Sequence, residues 1–176
     1  MTTEQPETLV TQEMIDTRDK WSEPRKSWPV SASDIRRWAQ GVYWPEVPPR
    51  LYWDEEYAKN TKWGGIIAPE EFNPFAFPLE GAYGQEAALA EVQGRPAPST
   101  GTMGSGPGSN AMNGGQTIRY HAPIRPGDVI STTSALVDWN ERQTRLGLTM
   151  FVTNETRWTN QNGELVCVKT QVSIRY

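Results

Sequence analysis

Two rhythms of apolar residues run along this chain, and they meet near Gly115. Before that point the spacing is helical. Ile35, Trp38, Ala39 and Val42 recur at i, i+3, i+4 and i+7 behind Ser31 and Asp34, a serine N-cap and an early acid. A helix is therefore predicted from Ser31 to about Val42, stopped by Gly41 and the prolines at 45, 48 and 49. A second, short helix is predicted from Asp54, whose carboxylate can cap the turn Glu55-Glu56-Tyr57-Ala58, and it ends before Trp63-Gly64-Gly65. Ile66-Ile67-Ala68-Pro69-Glu70-Glu71-Phe72 reads as a third helix start. Pro74 and Pro78 would each remove a backbone bond from it, so that helix is expected to be short or broken.

Beyond Gly115 the period becomes two, which predicts strands over 116–122, 128–138, 144–158 and 164–176. Leu146, Leu148, Met150 and Val152 are expected to share one face, as are Val166, Val168, Thr170, Val172 and Ile174. The connections fall at 138–143 and 159–163, the second carrying the hairpin signal Asn162-Gly163. Between the first two strands, Tyr120 to Ile130 holds Pro123, Pro126, Gly127 and Asp128. This is a stiff corner, in which Asp128 is expected to tie the turn. Helices segregated before long antiparallel strands make an α+β domain with a sheet wrapped on a helix. Residues 1–27 are expected to be a flexible arm and 28–176 a single domain. Its Gly/Pro-rich stretch at about 94–115 reads as a flexible covering loop.

Composition narrows the function classes. A mean hydropathy of -0.65 with 22% charged residues describes a soluble protein, and no apolar run approaches the ~20 residues of a membrane span. The polar, acidic start lacks a signal-peptide core, so a cytoplasmic protein is expected. A net charge of -4 and a pI near 5.1, without a basic stripe, argue against nucleic-acid binding. The one cysteine, Cys167, excludes an internal disulfide and reads as a small buried hydrophobe. Six of the eight tryptophans lie in the first 63 residues, which predicts a bulky apolar layer there.

Chemistry-bearing patterns are few. One histidine and one cysteine far apart give no metal-ligand set, so no metal is expected. A serine triad would need a histidine base, and no Gly-x-Ser-x-Gly elbow follows a strand. His121, the sole histidine, sits before a proline in the corner, where a satisfied or solvated residue is the simpler reading than a general base.

Four runs carry a resemblance: Asp34-Ile35-Arg36-Arg37-Trp38-Ala39; Leu51-Tyr52-Trp53-Asp54-Glu55-Glu56-Tyr57-Ala58; Gly64-Gly65-Ile66-Ile67-Ala68-Pro69; and Arg119 through Asp128. In this order, with Asn160-Gln161-Asn162-Gly163-Glu164-Leu165-Val166 near the end, the chain resembles the MaoC-like dehydratases. More narrowly, it resembles their FAS1-like dehydratase, N-terminal branch, over about Trp28 to Tyr176. The resemblance implies a hot-dog fold, an antiparallel sheet around a central helix, dimerising so that two sheets become continuous. It also implies addition of water to, or its removal from, the double bond of acyl thioesters, usually coenzyme A esters, with no other cofactor. In active members an Asp and a His on a loop activate one water, and a backbone N–H at the start of the central helix polarises the thioester carbonyl.

The corresponding loop here, Tyr43 to Asp54, has neither the family's Asp-x-Asn nor its His, and Tyr52 falls at the histidine's place. No residue is thus assigned a catalytic role, and Glu46, His121 and Asp54 are the candidates. Pro69 has no N–H, so the carbonyl donor would be Glu70. The expected substrate-binding residues are Ala68, Glu70, Phe72, Asn113 and Gly114. The reading that follows is a subunit of a heteromeric enoyl-CoA hydratase, a dimer or dimer of dimers, completing the pocket for a bulky, steroid-type acyl group. A companion MaoC-like subunit brings the Asp and His. The alternatives are a non-catalytic acyl-binding homodimer and a hydratase with a rearranged site using Glu46 or His121.

Overall fold

The computed structural model describes residues 7–76 and 108–176. Three α-helices lie in the first half of the chain and accompany one five-stranded antiparallel sheet, the α+β class expected. The elements are α1 (Gln12–Thr17), β1 (Arg25–Lys26), α2 (Ala32–Tyr43), a single 3₁₀ turn (Arg50–Tyr52), α3 (Glu55–Lys59), β2 (Ala111–Tyr120), β3 (Ser131–Thr144), β4 (Gly147–Thr159) and β5 (Leu165–Arg175). Spatially the strands run β1-β3-β4-β5-β2, so β2 forms one edge of the sheet. No helix among the described residues is long and apolar enough to cross a membrane.

Both predicted caps form. Ser31 Oγ accepts from Asp34 N at 3.0 Å and opens α2, and Asp54 Oδ1 accepts from Tyr57 N at 3.0 Å and opens α3. α2 passes through Gly41 and ends at the Trp44-Pro45 bond. Its buried face, Ile35 and Ala39, joins Val30, Ala58, Ile66, Phe72, Ile130 and Trp158 in the main core. The expected helix start at Pro69 is instead a pair of turns, closed by Phe72 N donating to Pro69 O and Ala76 N to Asn73 O. The expected central helix beyond it, and most of the 94–115 loop, lie outside the described residues.

Three strand boundaries differ from expectation, and bulges explain two of them. β3 continues through Thr144, so residues 138–143 are strand and the connection to β4 is the two-residue turn Arg145-Leu146. A register shift between Leu136 and Asp138 slips the alternation by one, which made the strand appear to end there. Leu146 therefore lies in the turn, exposed, while Met150 and Val152 are buried. Likewise β2 begins at Ala111, ahead of a bulge at Asn113/Gly115 where Asn113 Oδ1 accepts from Gly115 N. Trp139 faces Val152 and Trp158 faces Thr132, so the two tryptophans are not cross-strand partners.

The segment expected as a flexible arm lies along the sheet, with α1 packed on it and backbone bonds to β3 from Asp19 onward. Asp19 N donates to Leu136 O, Ser22 N to Ser134 O and Ser27 N to Ile130 O, each at 2.8 Å, while β1 pairs Arg25 with Thr132 and Lys26 with Ser131. Met14 of α1 packs on Met150 and Val152 in a second core cluster. This segment thereby occupies backbone groups from Ile130 to Leu136, along the outer side of the first half of β3. Its polar composition conceals the role, because the binding is carried by main-chain hydrogen bonds, which any sequence can make.

The corner of 120–130 joins four segments. His121 N and Ala122 N donate to Val166 O and Leu165 O, Ala68 N donates to Ile124 O, and Gly127 N pairs with Val30 O at a φ of 93°. Asp128, 8% exposed, ties the turn as expected: Oδ2 accepts from Arg125 N at 2.7 Å, and Oδ1 accepts from Gln161 Nε2 at 3.0 Å.

Candidate functional site

Where the corner, the Ile67–Phe72 turn and the start of β5 meet, they enclose a cavity of about 200 Å³. The turn is held there by the bond from Ala68 N to Ile124 O. Apolar side chains form the wall: Ile67, Phe72, Ile118, Ile124, Trp158 and Val166. Strand register puts the sheet's contribution on one face, because Trp158 lies opposite Cys167, Cys167 opposite Tyr120, and Ile118 opposite Lys169. Phe75 meets the Trp158 ring edge-on at 5.4 Å and Trp38 meets Phe72 at 5.6 Å, so of the tryptophan layer expected in the first 63 residues Trp38 backs the cavity, whereas Trp28, Trp44 and Trp53 are exposed.

Polar groups reach it at few places. Glu70, Glu71, Tyr120, His121 and Lys169 line it. Lys169 Nζ lies 3.8 Å above the Trp158 ring, a cation–π contact that holds an ammonium against an otherwise apolar wall. Burial raises the Tyr120 phenol above its ordinary range, and the carboxylates of Glu71 and Glu70 add to the rise. Tyr52 is pushed up to about 12, first by burial, then by the Tyr43 side chain beside it and by Glu71 and Glu70. Both phenols therefore stay protonated near neutrality and can donate hydrogen bonds. Burial also raises the Cys167 thiol, so this buried sulfur is a wall group and not a nucleophile.

The residues singled out from sequence are divided by the structure. Ala68, Glu70, Phe72 and His121 line the cavity. Asn113 and Gly114 lie at the other end of β2, against Val172–Ile174, and are not among the lining residues. Glu46 is exposed on the loop after α2 and does not line the cavity. Asp54 is occupied by its cap and by Arg50, whose Nε and Nη2 donate to Oδ2 at 2.9 and 2.6 Å. The Tyr57 N–H and this guanidinium hold its carboxyl below the usual range. Sequence reasoning missed Tyr120, Lys169, Glu71 and Trp158. The odd-numbered face of β5 and the odd spacing of Trp158 from Cys167 become meaningful only once the β4–β5 register is known.

The chain matches the family model described as the FAS1-like, dehydratase domain region over residues 20–169. Among solved structures it is similar to a chain of the ChsH1-ChsH2 complex from Mycobacterium tuberculosis, with 20% identity, 89% of each chain covered and a TM-score of 0.63. It is similar to the MaoC-like dehydratase from Rhodospirillum rubrum at 20% identity, covering 88% of this chain and 90% of that one, with a TM-score of 0.54. The HadBC (3R-hydroxyacyl-ACP dehydratase) complex, also from Mycobacterium tuberculosis, contributes a match at 18% identity, 88% and 93% coverage and a TM-score of 0.54. No curated protein matches the chain. The five-stranded sheet and these neighbours identify the hot-dog fold.

Proposed function

Because the chain belongs to the family of the FAS1-like dehydratase domain region, we propose that it is one subunit of a heteromeric hydratase that adds water to a 2-enoyl thioester, a bulky coenzyme A ester, in the cytoplasm. It supplies the acyl pocket, and a companion hot-dog subunit supplies the catalytic Asp and His. The observation that carries this reading is the mismatch between a formed cavity and its titratable groups. The wall suits an acyl chain, yet the sole imidazole of the sequence is solvent-exposed at a proline corner, no hydrogen bond or ion pair joins it to Glu70 or Glu71, the exposed carboxylates that line the cavity with it, and neither Glu46 nor Asp54 lines the cavity. General acid–base hydration needs a proton acceptor and a proton donor at one water.

In the proposed reaction a base takes a proton from water as the oxygen bonds to the β-carbon. The double bond's electrons move toward the thioester carbonyl, and a proton is delivered to the α-carbon, so that one water is consumed. This chain's part is to exclude bulk water with Ile67, Phe72, Ile118 and Val166 and to polarise the carbonyl oxygen. The first N–H after Pro69, that of Glu70, is the donor for this in our reading. The open side of the sheet favours a companion. Outer backbone groups of the first half of β3 are taken by the 19–27 segment, whereas β2 forms the opposite edge and pairs only with β5 among the described residues. The two-chain ChsH1-ChsH2 and HadBC complexes are precedents for this fold in paired assemblies.

Co-expression with a MaoC-like chain that has an intact Asp and His tests the proposal. A stable complex that consumes the enoyl thioester absorbance, with this chain inert alone, is expected. Full activity from this chain alone would overturn it.

A further inference from the structure

Resting on the heteromeric reading above, we propose that the loop of residues 42–53, with Tyr57, is the surface on which the companion subunit docks, and that Trp44 and Val47 are its anchors. Trp44 is 81% exposed and Val47 80%, and Val42, Trp53 and Tyr57 are also exposed. With Trp and Tyr side chains offering roughly 150–250 Å² each, this patch presents on the order of 500 Å² of apolar surface. That is at the upper end of what a monomer shows to water.

The loop is built to hold those side chains still. Glu46 N donates to Tyr43 O at 2.7 Å and closes a turn with Trp44-Pro45 at its corner, while Trp53 Nε1 donates to Pro48 O at 2.9 Å. The Arg50 guanidinium is fixed by Asp54 and lies 4.8 Å from the centre of the Tyr57 ring. Pro45, Pro48 and Pro49 leave the backbone little freedom to lose. Preordered aromatic side chains with few rotamers are what a protein interface uses as its energetic centre.

Position names the occupant. Tyr43 lies against Tyr52 with ring centroids 6.0 Å apart, and Tyr52 packs on the core cluster that includes Phe72, Ile124 and Trp158 of the cavity wall. Tyr120, the last residue of β2, lines the cavity itself. The patch therefore runs up to the cavity on one side as the β2 edge does on the other. A chain that delivers an imidazole and a carboxylate to this cavity has to lie across this rim. The β2 edge gives such a chain backbone hydrogen bonds, with exposed large apolar side chains only at its two ends, Met112 and Tyr120, and small or polar residues from Asn113 to Thr117 between them. A stable pair needs about 800 Å² a side, and the aromatic loop provides the missing apolar part. A second copy of this chain would bring the same loop and no catalytic pair.

The test uses the co-expressed MaoC-like companion with an intact Asp and His, and the double substitution Trp44→Ser/Val47→Ser. Both positions are solvent-exposed, so the thermal melt of the isolated chain is expected to be unchanged. Binding of the companion is expected to weaken at least about 30-fold, the loss typical of a hot-spot aromatic. Trp44→Phe is expected to retain most of it, and a photo-crosslinking residue at position 47 to capture the companion. If the double variant binds the companion like the wild type, the docking surface is overturned and the heteromeric reading stands. If the chain forms a homodimer that the same substitutions disperse, the patch serves a second copy and the inference is overturned. If the wild type binds no companion and is active alone, the heteromeric reading falls, and the inference with it.

Discussion

Asp128→Asn changes one side-chain oxygen to an amide nitrogen, yet it is expected to destabilise the protein by about 1–3 kcal/mol, the cost of a buried unsatisfied or opposed polar pair. The argument runs through four groups. Gln161 Oε1 accepts from Val129 N at 2.9 Å, so its amide nitrogen must face Asp128 Oδ1, where the distance is 3.0 Å. Arg125 N donates to the other oxygen at 2.7 Å. Both carboxylate oxygens therefore meet donors, while asparagine has only one acceptor. Either orientation of the new amide sets nitrogen against nitrogen, unless Gln161 turns and abandons Val129. Urea unfolding is the assay, with the midpoint falling at unchanged m-value. A melting temperature lowered by about 2–4 °C per kcal/mol is the thermal counterpart for a chain of this size. Adding Gln161→Glu restores an acceptor facing both Val129 N and the new amide, so the double variant is expected to recover most of the loss. A cost for Asp128→Asn within about 0.5 kcal/mol, the scatter of surface substitutions, or a double variant no more stable than the single one, would refute this account of the corner.

Gly114→Ala would place a Cβ 3.0 Å from Val172 O and from the Cγ1 atoms of Val172 and Ile174, so a loss of about 1–3 kcal/mol is expected in thermal or urea unfolding. Tyr52 ionises near 12 in the folded chain against an ordinary 10.0, so the unfolded chain releases this proton first. Stability is then full below pH 10 and declines as pH rises toward 12, and Tyr52→Phe is expected to flatten that limb of the stability curve. For Asp54 the sign is opposite. Its folded carboxyl is held down by the Tyr57 N–H and Arg50, so the stability it contributes is present above the unfolded value of 3.8 and is lost as pH falls through the folded one. Asp54→Ala is expected to lower the melting temperature at neutral pH, and the part of that loss due to the carboxylate to vanish in melts recorded below its folded titration.

Local chemistry was legible wherever it is settled within a few residues. Ser31 and Asp34, Asp54 and Tyr57, and the corner with Pro123, Gly127 and Asp128 each close their structure over three or four positions, so the sequence states the whole interaction. The fold class followed from the same local signals together with the family resemblance. Structure settled over longer range was not legible. The slip at Leu136/Asp138 hides the last third of β3 from any reading of period two, and the attachment of residues 19–27 uses backbone groups that side chains do not announce. At the site, Ala68, Glu70 and Phe72 came from one contiguous run, whereas Tyr120, Lys169 and Trp158 meet only through the pairing of three strands. Asn113 and Gly114, expected to bind substrate, lie at the β2 bulge, away from this cavity.

The segment along β3 also bears on how far an assembly can grow. Strand-to-strand joining propagates without limit when a sheet offers two open edges, which is how cross-β fibres extend. Here the stretch from Ile130 to Leu136, through the first half of β3, is already engaged by the chain's own Asp19, Ser22 and Ser27 amides, which leaves β2 as the long strand at the opposite edge among the described residues. In the pairing proposed above, a companion joined along β2 leaves this chain's β3, with residues 19–27 laid on its first half, as the outer end of the joined sheet. On that proposal the N-terminal segment is a chain terminator: it stops edge-to-edge growth on this subunit's side.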